Sequence, residues 1–119
     1  MRPRFIMIGL LSLAGCGAPS TDDWLVQLKD ADVVKRRQAL RELAARTAES
    51  PRIVPALSEA LRDENAYVRH DAATALAKFG PDASEAVPAL TLALKDSDHS
   101  VRKAARSALK KIDPQTAKP

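Results

Sequence analysis

Apolar residues return every three or four positions along most of this chain. Val68, Ala72, Leu76 and Phe79 form one stripe, and Val101, Ala105, Leu109 and Ile112 form another. That spacing places the side chains on one face of a helix, and nothing in the chain alternates as a half-buried strand would. Punctuation between the stripes suggests boundaries. Ser50-Pro51 reads as an N-cap followed by the first helical position, Asp82 and Glu85 have capping-box spacing, and Gly80-Pro81 stops the helix before them. The pattern predicts helices near 21–29, 34–47, 51–62, 66–79, 83–95 and 99–112.

The stripes also repeat at a period of 33 residues. Asp63 falls on Asp96, Val68 on Val101, Arg69 on Arg102, Ala72 on Ala105, Leu76 on Leu109 and Phe79 on Ile112, and Val54-Pro55-Ala56-Leu57 matches Val87-Pro88-Ala89-Leu90. A fainter copy comes first, with Trp24, Leu28, Asp30, Arg36, Ala39 and Leu43 in the places of Leu57, Leu61, Asp63, Arg69, Ala72 and Leu76. Units of this length bury their apolar faces only against neighbours, so the expected fold is all-α, a short α-solenoid of about three helix pairs over residues 21–113, followed by a tail at 114–119.

These residues resemble the HEAT repeats, whose pattern has a proline in the first helix, an aspartate closing it and Val-Arg opening the second. Here they are Pro55, Asp63, Val68, Arg69 and Pro88, Asp96, Val101, Arg102. The first unit departs from the pattern, with Asp22 for the proline and Lys35 for the valine. A period of 33 is short for that family, and the comparison that fits best is the short HEAT-like class of bilin-lyase and related bacterial repeat proteins. The resemblance implies a structural ladder of Asp30, Asp63 and Asp96 with Arg36, Arg69 and Arg102. An aspartate in the turn can accept from amides of the next helix, and a planar guanidinium can bridge carboxylates or carbonyls of adjacent units.

Ahead of the repeats lies a different pattern. Arg2 and Arg4 precede an apolar run from Phe5 to Ala14, and Leu13-Ala14-Gly15-Cys16 contains the single cysteine of the chain. Ten apolar residues reach about 15 Å as a helix, half a bilayer core, which fits a signal peptide better than a span. The four residues resemble the lipobox of bacterial lipoproteins, which implies removal of residues 1–15, lipidation of Cys16, a linker at 16–20 and attachment to the cell membrane, the outer one in a Gram-negative host. Ordinary cleavage after Ala18 is the alternative. Loss of Arg2 and Arg4 lowers the net charge from +4 to +2, so the pI near 9.5 does not by itself indicate nucleic acid.

Candidate chemistry is sparse. One cysteine and two histidines, His70 and His99, make neither a disulfide nor a metal site. No nucleophile stands beside a base, no glycine-rich loop could cradle phosphate, and four aromatic residues are too few for base stacking. The expectation is a chain without catalysis or cofactor.

Charge is segregated instead. The second helices with their flanks (33–46, 66–79, 99–112) hold twelve Lys and Arg against two acids, and the first helices with their turns (21–32, 49–65, 82–98) hold four against twelve. In HEAT-like stacks second helices tend to line the concave surface. On that resemblance Arg37, Arg41, Lys78, Lys103 and Lys111 are candidate contacts for an acidic protein, an anionic glycan or a lipid headgroup. The competing account is that Arg46, Lys78, Lys110 and Lys111 offset helix dipoles in last turns. The expected function is a membrane-anchored interaction module binding a protein or other acidic partner at the envelope, with the end faces open to association. The alternatives are a nucleic-acid binder similar to the HEAT-like DNA glycosylases and a bilin-lyase-like protein.

Overall fold

The computed structural model describes residues 17–115. Six α-helices follow one another: α1 (Thr21–Gln27), α2 (Val33–Ala44), α3 (Ser50–Ala60), α4 (Ala66–Ala77), α5 (Val87–Ala93) and α6 (His99–Ile112), with 3-10 segments at Thr47–Glu49 and Gly80–Ala86. No strand occurs among the described residues. Each odd-numbered helix pairs with the even-numbered one after it, and α2, α4 and α6 stack side by side. The result is a short α-solenoid of three helix pairs.

The predicted stripes form its core. Val68, Ala72, Leu76, Val101, Ala105 and Leu109 are at most 1% exposed, and Leu40, Leu43, Ile53, Val54, Leu57 and Leu90 fill the space between them. Trp24 is buried in the place that Leu57 and Leu90 take in later units. The start of α1 is tied down by polar bonds. Ser20 and Asp23 make a reciprocal capping box, Thr21 Oγ1 donates to Glu49 Oε2 at 2.7 Å, and Arg46 donates to Thr21 Oγ1 and the Pro19 carbonyl.

Two sequence-derived caps are not used. Ser50 lies inside α3, and its N-cap, Glu49, makes no side-chain bond. The helix expected from residue 83 begins at Val87, because Gly80–Ala86 winds as 3-10 turns with a kink at Ala83, and neither Phe79 nor Ala86 caps through its side chain. Gly80 itself has φ of +56°, the left-handed conformation that ends α4 and that glycine adopts without strain. Proline 88 then falls in the first turn of α5, where its missing N–H costs nothing.

The second helices are capped by residues that the sequence reading passed over. Asp32, Asn65 and Asp98, again 33 apart, accept from the first amides of α2, α4 and α6. The ladder aspartates do a related job one step earlier. Asp30, Asp63 and Asp96 each accept from the N–H two residues on, that of the cap itself, at 2.8, 2.8 and 2.9 Å. They shape the turn and leave the helix amides to the caps.

Candidate functional site

Two of the three ladder arginines, Arg36 and Arg69, span two units. Arg36 Nη1 donates to the carbonyls of Asp30 and Ala31 at 2.8 and 3.1 Å, and Nη2 donates to Asp63 Oδ1 at 3.1 Å. Its Nε lies 2.9 Å from Asp63 Oδ2, an ion-pair contact without hydrogen-bond alignment. Arg69 repeats the arrangement with better geometry: Nη1 on the carbonyls of Asp63 and Glu64, and Nε and Nη2 on the two oxygens of Asp96 at 2.8 and 3.1 Å. Burial opposes ionisation of Asp96 most strongly. The hydrogen bonds from Arg69 and the Asp98 amide, with the Arg69 charge, together outweigh it and hold the carboxyl below its ordinary value. Among the described residues Arg102 has only its Nη1 bond, to the Asp96 carbonyl at 2.7 Å.

The five proposed contact residues separate. Arg37 Nε donates to Asp71 Oδ2 at 2.7 Å, a bond that raises its pKa, and its guanidinium lies 5.1 Å from the centre of the Tyr67 ring. It links α2 to α4. Arg41 is exposed on α2, one turn from Arg37 and a unit or more from the three lysines. Lys78, Lys103 and Lys111 do come together, around a groove of about 480 Å³ between α4 and α6 that is also lined by His70, Thr74, Ala77, Ser100, Ala104 and Ser107.

Among the described residues no carboxylate lies within 4 Å of any of these three lysines. Asp71 on α4, beside His70, is occupied by Arg37 and by a 3.3 Å contact with His70 Nδ1. Three ammonium groups, a histidine and the hydroxyls of Ser100 and Ser107 are the kinds of donor that a carboxylate or another anion requires, while the Thr74 hydroxyl already donates to the His70 carbonyl. There is no aromatic side chain in it on which a base could stack.

A larger depression of about 980 Å³ opens between α1 and α3. Leu25, Leu28, Pro55, Ala56 and Ala60 give it an apolar floor, and Asp30, Glu59, Asp63 and Glu64 line its sides. The sequence reading missed it, although Leu25 marks it: Ser58 and Thr91 hold that place in later units.

Among the described residues no cluster of His, Cys, Asp or Glu could hold a metal ion, and no helix is long and apolar enough to cross a membrane. Cys16, the candidate lipidation site, lies outside the described residues.

The family of HEAT repeats matches residues 21–110, from the start of α1 into the last turn of α6. The chain belongs to the HEAT-repeat family. Among curated proteins none matches it. Among solved structures, this HEAT chain is similar to a chain in the complex of CpcE and CpcF of phycocyanin lyase from Nostoc sp. PCC7120, with 27% identity and a TM-score of 0.76. The likeness covers 96% of this chain and 45% of that one, so this chain spans less than half the length of its relative.

That finding corrects the expectation of a chain without enzymatic character, because the relative belongs to a lyase. The reading had rested on the lack of a nucleophile beside a base within this one short sequence. Such a search does not register catalysis to which a repeat contributes by holding a substrate in place.

Proposed function

We propose that this chain is a bilin-lyase-like HEAT protein, which binds a protein partner through the basic groove between α4 and α6 and holds it for modification. The observation that carries the reading is the likeness to a phycocyanin lyase chain over 96% of this sequence, at 27% identity. The groove supplies its chemistry. Lys78 at the end of α4 and Lys103 and Lys111 on α6 have no ion-pair partner among the described residues, which suits an acidic surface on the partner. The absence of aromatic lining makes the nucleic-acid alternative the poorer fit to the same groove.

The test is capture from the native host with crosslinking, comparing the wild type with a triple variant, Lys78→Glu, Lys103→Glu and Lys111→Glu, of equal helicity. A partner lost from the variant, and carrying a covalently attached chromophore that survives denaturation, is the expected result. An unchanged set of partners rejects the groove. Partners without chromophore in wild-type and native extracts alike reject the lyase-like role.

The place of action belongs to the same proposal and rests on Leu13 to Cys16 alone. A lipid on Cys16 would hold the first helix within about 18 Å of a membrane. Changing Cys16→Ser should then release the protein from the membrane fraction. A mature N-terminus at Ser20 or Thr21 without lipid would reject it.

A further inference from the structure

The two ends of the stack carry opposite charges at positions that its interior fills with apolar side chains. One position on each second helix is covered wherever a unit follows it. Leu40 in α2 and Ala73 in α4 are fully buried there, whereas the corresponding Arg106 in α6, with no further unit among the described residues, is exposed. Another is covered wherever a unit precedes it. Ala75 and Ala108 are buried, whereas the corresponding Glu42 in α2 is exposed.

The ladder ends in the same way. Arg36, Arg69 and Arg102 are each anchored through Nη1 to the carbonyl of their own turn's aspartate, at 2.8, 2.8 and 2.7 Å. In the first two, Nε and Nη2 face the aspartate of the next unit. In Arg102 both meet no carboxylate among the described residues. At the other end Asp30 accepts the Asp32 N–H through Oδ1, as its counterparts do, while Oδ2 has no cationic partner there. A guanidinium fixed by one nitrogen with its fork left over is a carboxylate receptor already oriented for a bidentate bond.

We propose that a second copy of this chain docks head to tail on α6, its Asp30 closing on the Arg102 fork and its Glu42 meeting Arg106. Both halves of each pair are present in one sequence, in the 33-residue register that sets the inner rungs. The leading end presents Arg102 and Arg106, and the trailing end presents Asp30 and Glu42, so the signs are complementary along the seam. An unrelated acidic peptide would satisfy the charge without matching the register. Such a contact is heterologous and adds copies in a line. Charge takes the place of the apolar seam between inner units, so the contact is salt-sensitive and weaker than the stacking within the chain.

Sedimentation equilibrium of the full chain from micromolar to millimolar concentration, at about 0.05 M and about 0.5 M salt, tests this. The expected result is a mass that rises with concentration and falls with salt. Arg102→Asp and Asp30→Arg should each weaken association about tenfold or more, the factor a charge-assisted hydrogen bond carries. Mixing the two variants should restore association, since the altered ends are again opposite in sign. Arg106→Glu with Glu42→Arg forms a second pair that leaves the Asp30 turn intact and should behave alike, so it decides the matter if Asp30→Arg disturbs folding. A wild type that stays monomeric throughout overturns the proposal. So does association that neither pair weakens, or variants of native helicity that do not recover on mixing.

Discussion

Arg69 and Arg102 hold the same place in consecutive units, begin the same way and end differently. Both reach back to a carbonyl of their own turn. Arg69 then closes on both oxygens of Asp96, with side chains 15% and 12% exposed, whereas Arg102 meets no acid among the described residues. A column in the repeat therefore fixes a side chain's starting geometry. What stands 27 residues ahead decides whether its charge is part of the scaffold or available to something else. The column of Arg37, His70 and Lys103 teaches the same lesson. Arg37 has Asp71 at 34 positions ahead and is tied into the stack, while Lys103 opens onto a groove.

The sharpest way to break the comparison is to truncate both arginines. Arg69→Ala leaves Asp96 largely buried without its counterion and should cost about 3–5 kcal/mol, a large part of the stability of a small domain. Arg102→Ala removes one hydrogen bond and should cost about 1 kcal/mol in the monomer. Urea denaturation read by circular dichroism separates the two; equal midpoints would mean that the rung has no structural weight. The rung should also register in pH. The Asp96 carboxyl is held below its ordinary value in the folded chain, so the unfolded chain binds more protons as acid is added. Its contribution is complete above that ordinary value and is lost as pH falls through the lower, folded one. Arg69→Ala should flatten this acid-side loss, and Arg102→Ala should leave it in place.

A smaller contrast separates realised caps from apparent ones. Asp98 accepts from the amides of Ser100 and Val101 at 2.8 and 3.2 Å, and Asp98→Ala should cost about 1 kcal/mol. Asp82 has capping-box spacing in the sequence yet caps nothing, and Asp82→Ala should change stability by no more than about 0.5 kcal/mol. Thermal midpoints of the two variants check the difference.

That pair of residues also shows where the sequence was legible. The 33-residue period made the helix pairs, their stacking and the core stripe readable, because burial against identical neighbours forces the same apolar positions to recur. Asp82–Glu85 misled because a local spacing rule assumes that an α-helix starts there, and Gly80–Ala86 winds as 3-10 turns instead. Asp32, Asn65 and Asp98 were visible as a polar column just before each second helix, but the more familiar Asp–Arg pattern two residues earlier drew the assignment. At the candidate site, three of five cations meet at the groove. The Arg37 pairing was not legible, because its partner, Asp71, stands alone in its column and no periodicity points to it. The basic second helices, counted as a whole, gave a sum of charge that did not distinguish paired from unpaired groups.

The smallest expected effects discriminate most finely between a binding groove and cations that merely offset helix dipoles. Lys103 sits in the second turn of α6 and Lys111 in its last, and both line the groove. A negative charge near a helix start is favourable and one near its end is not, each worth about 0.3–1 kcal/mol when exposed. Lys111→Glu should therefore lower stability by a few tenths of a kcal/mol, and Lys103→Glu should leave it unchanged or raise it slightly. If dipole compensation is all these lysines do, partner capture should survive both changes in proportion to stability. If the groove is a receptor, both variants should lose the partner to a similar degree although only Lys111→Glu lowers stability. Added salt should weaken wild-type capture in the same sense. Capture that follows stability and ignores salt would return Lys103 and Lys111 to the solvated surface and leave the apolar depression between α1 and α3 as the place to look for a partner.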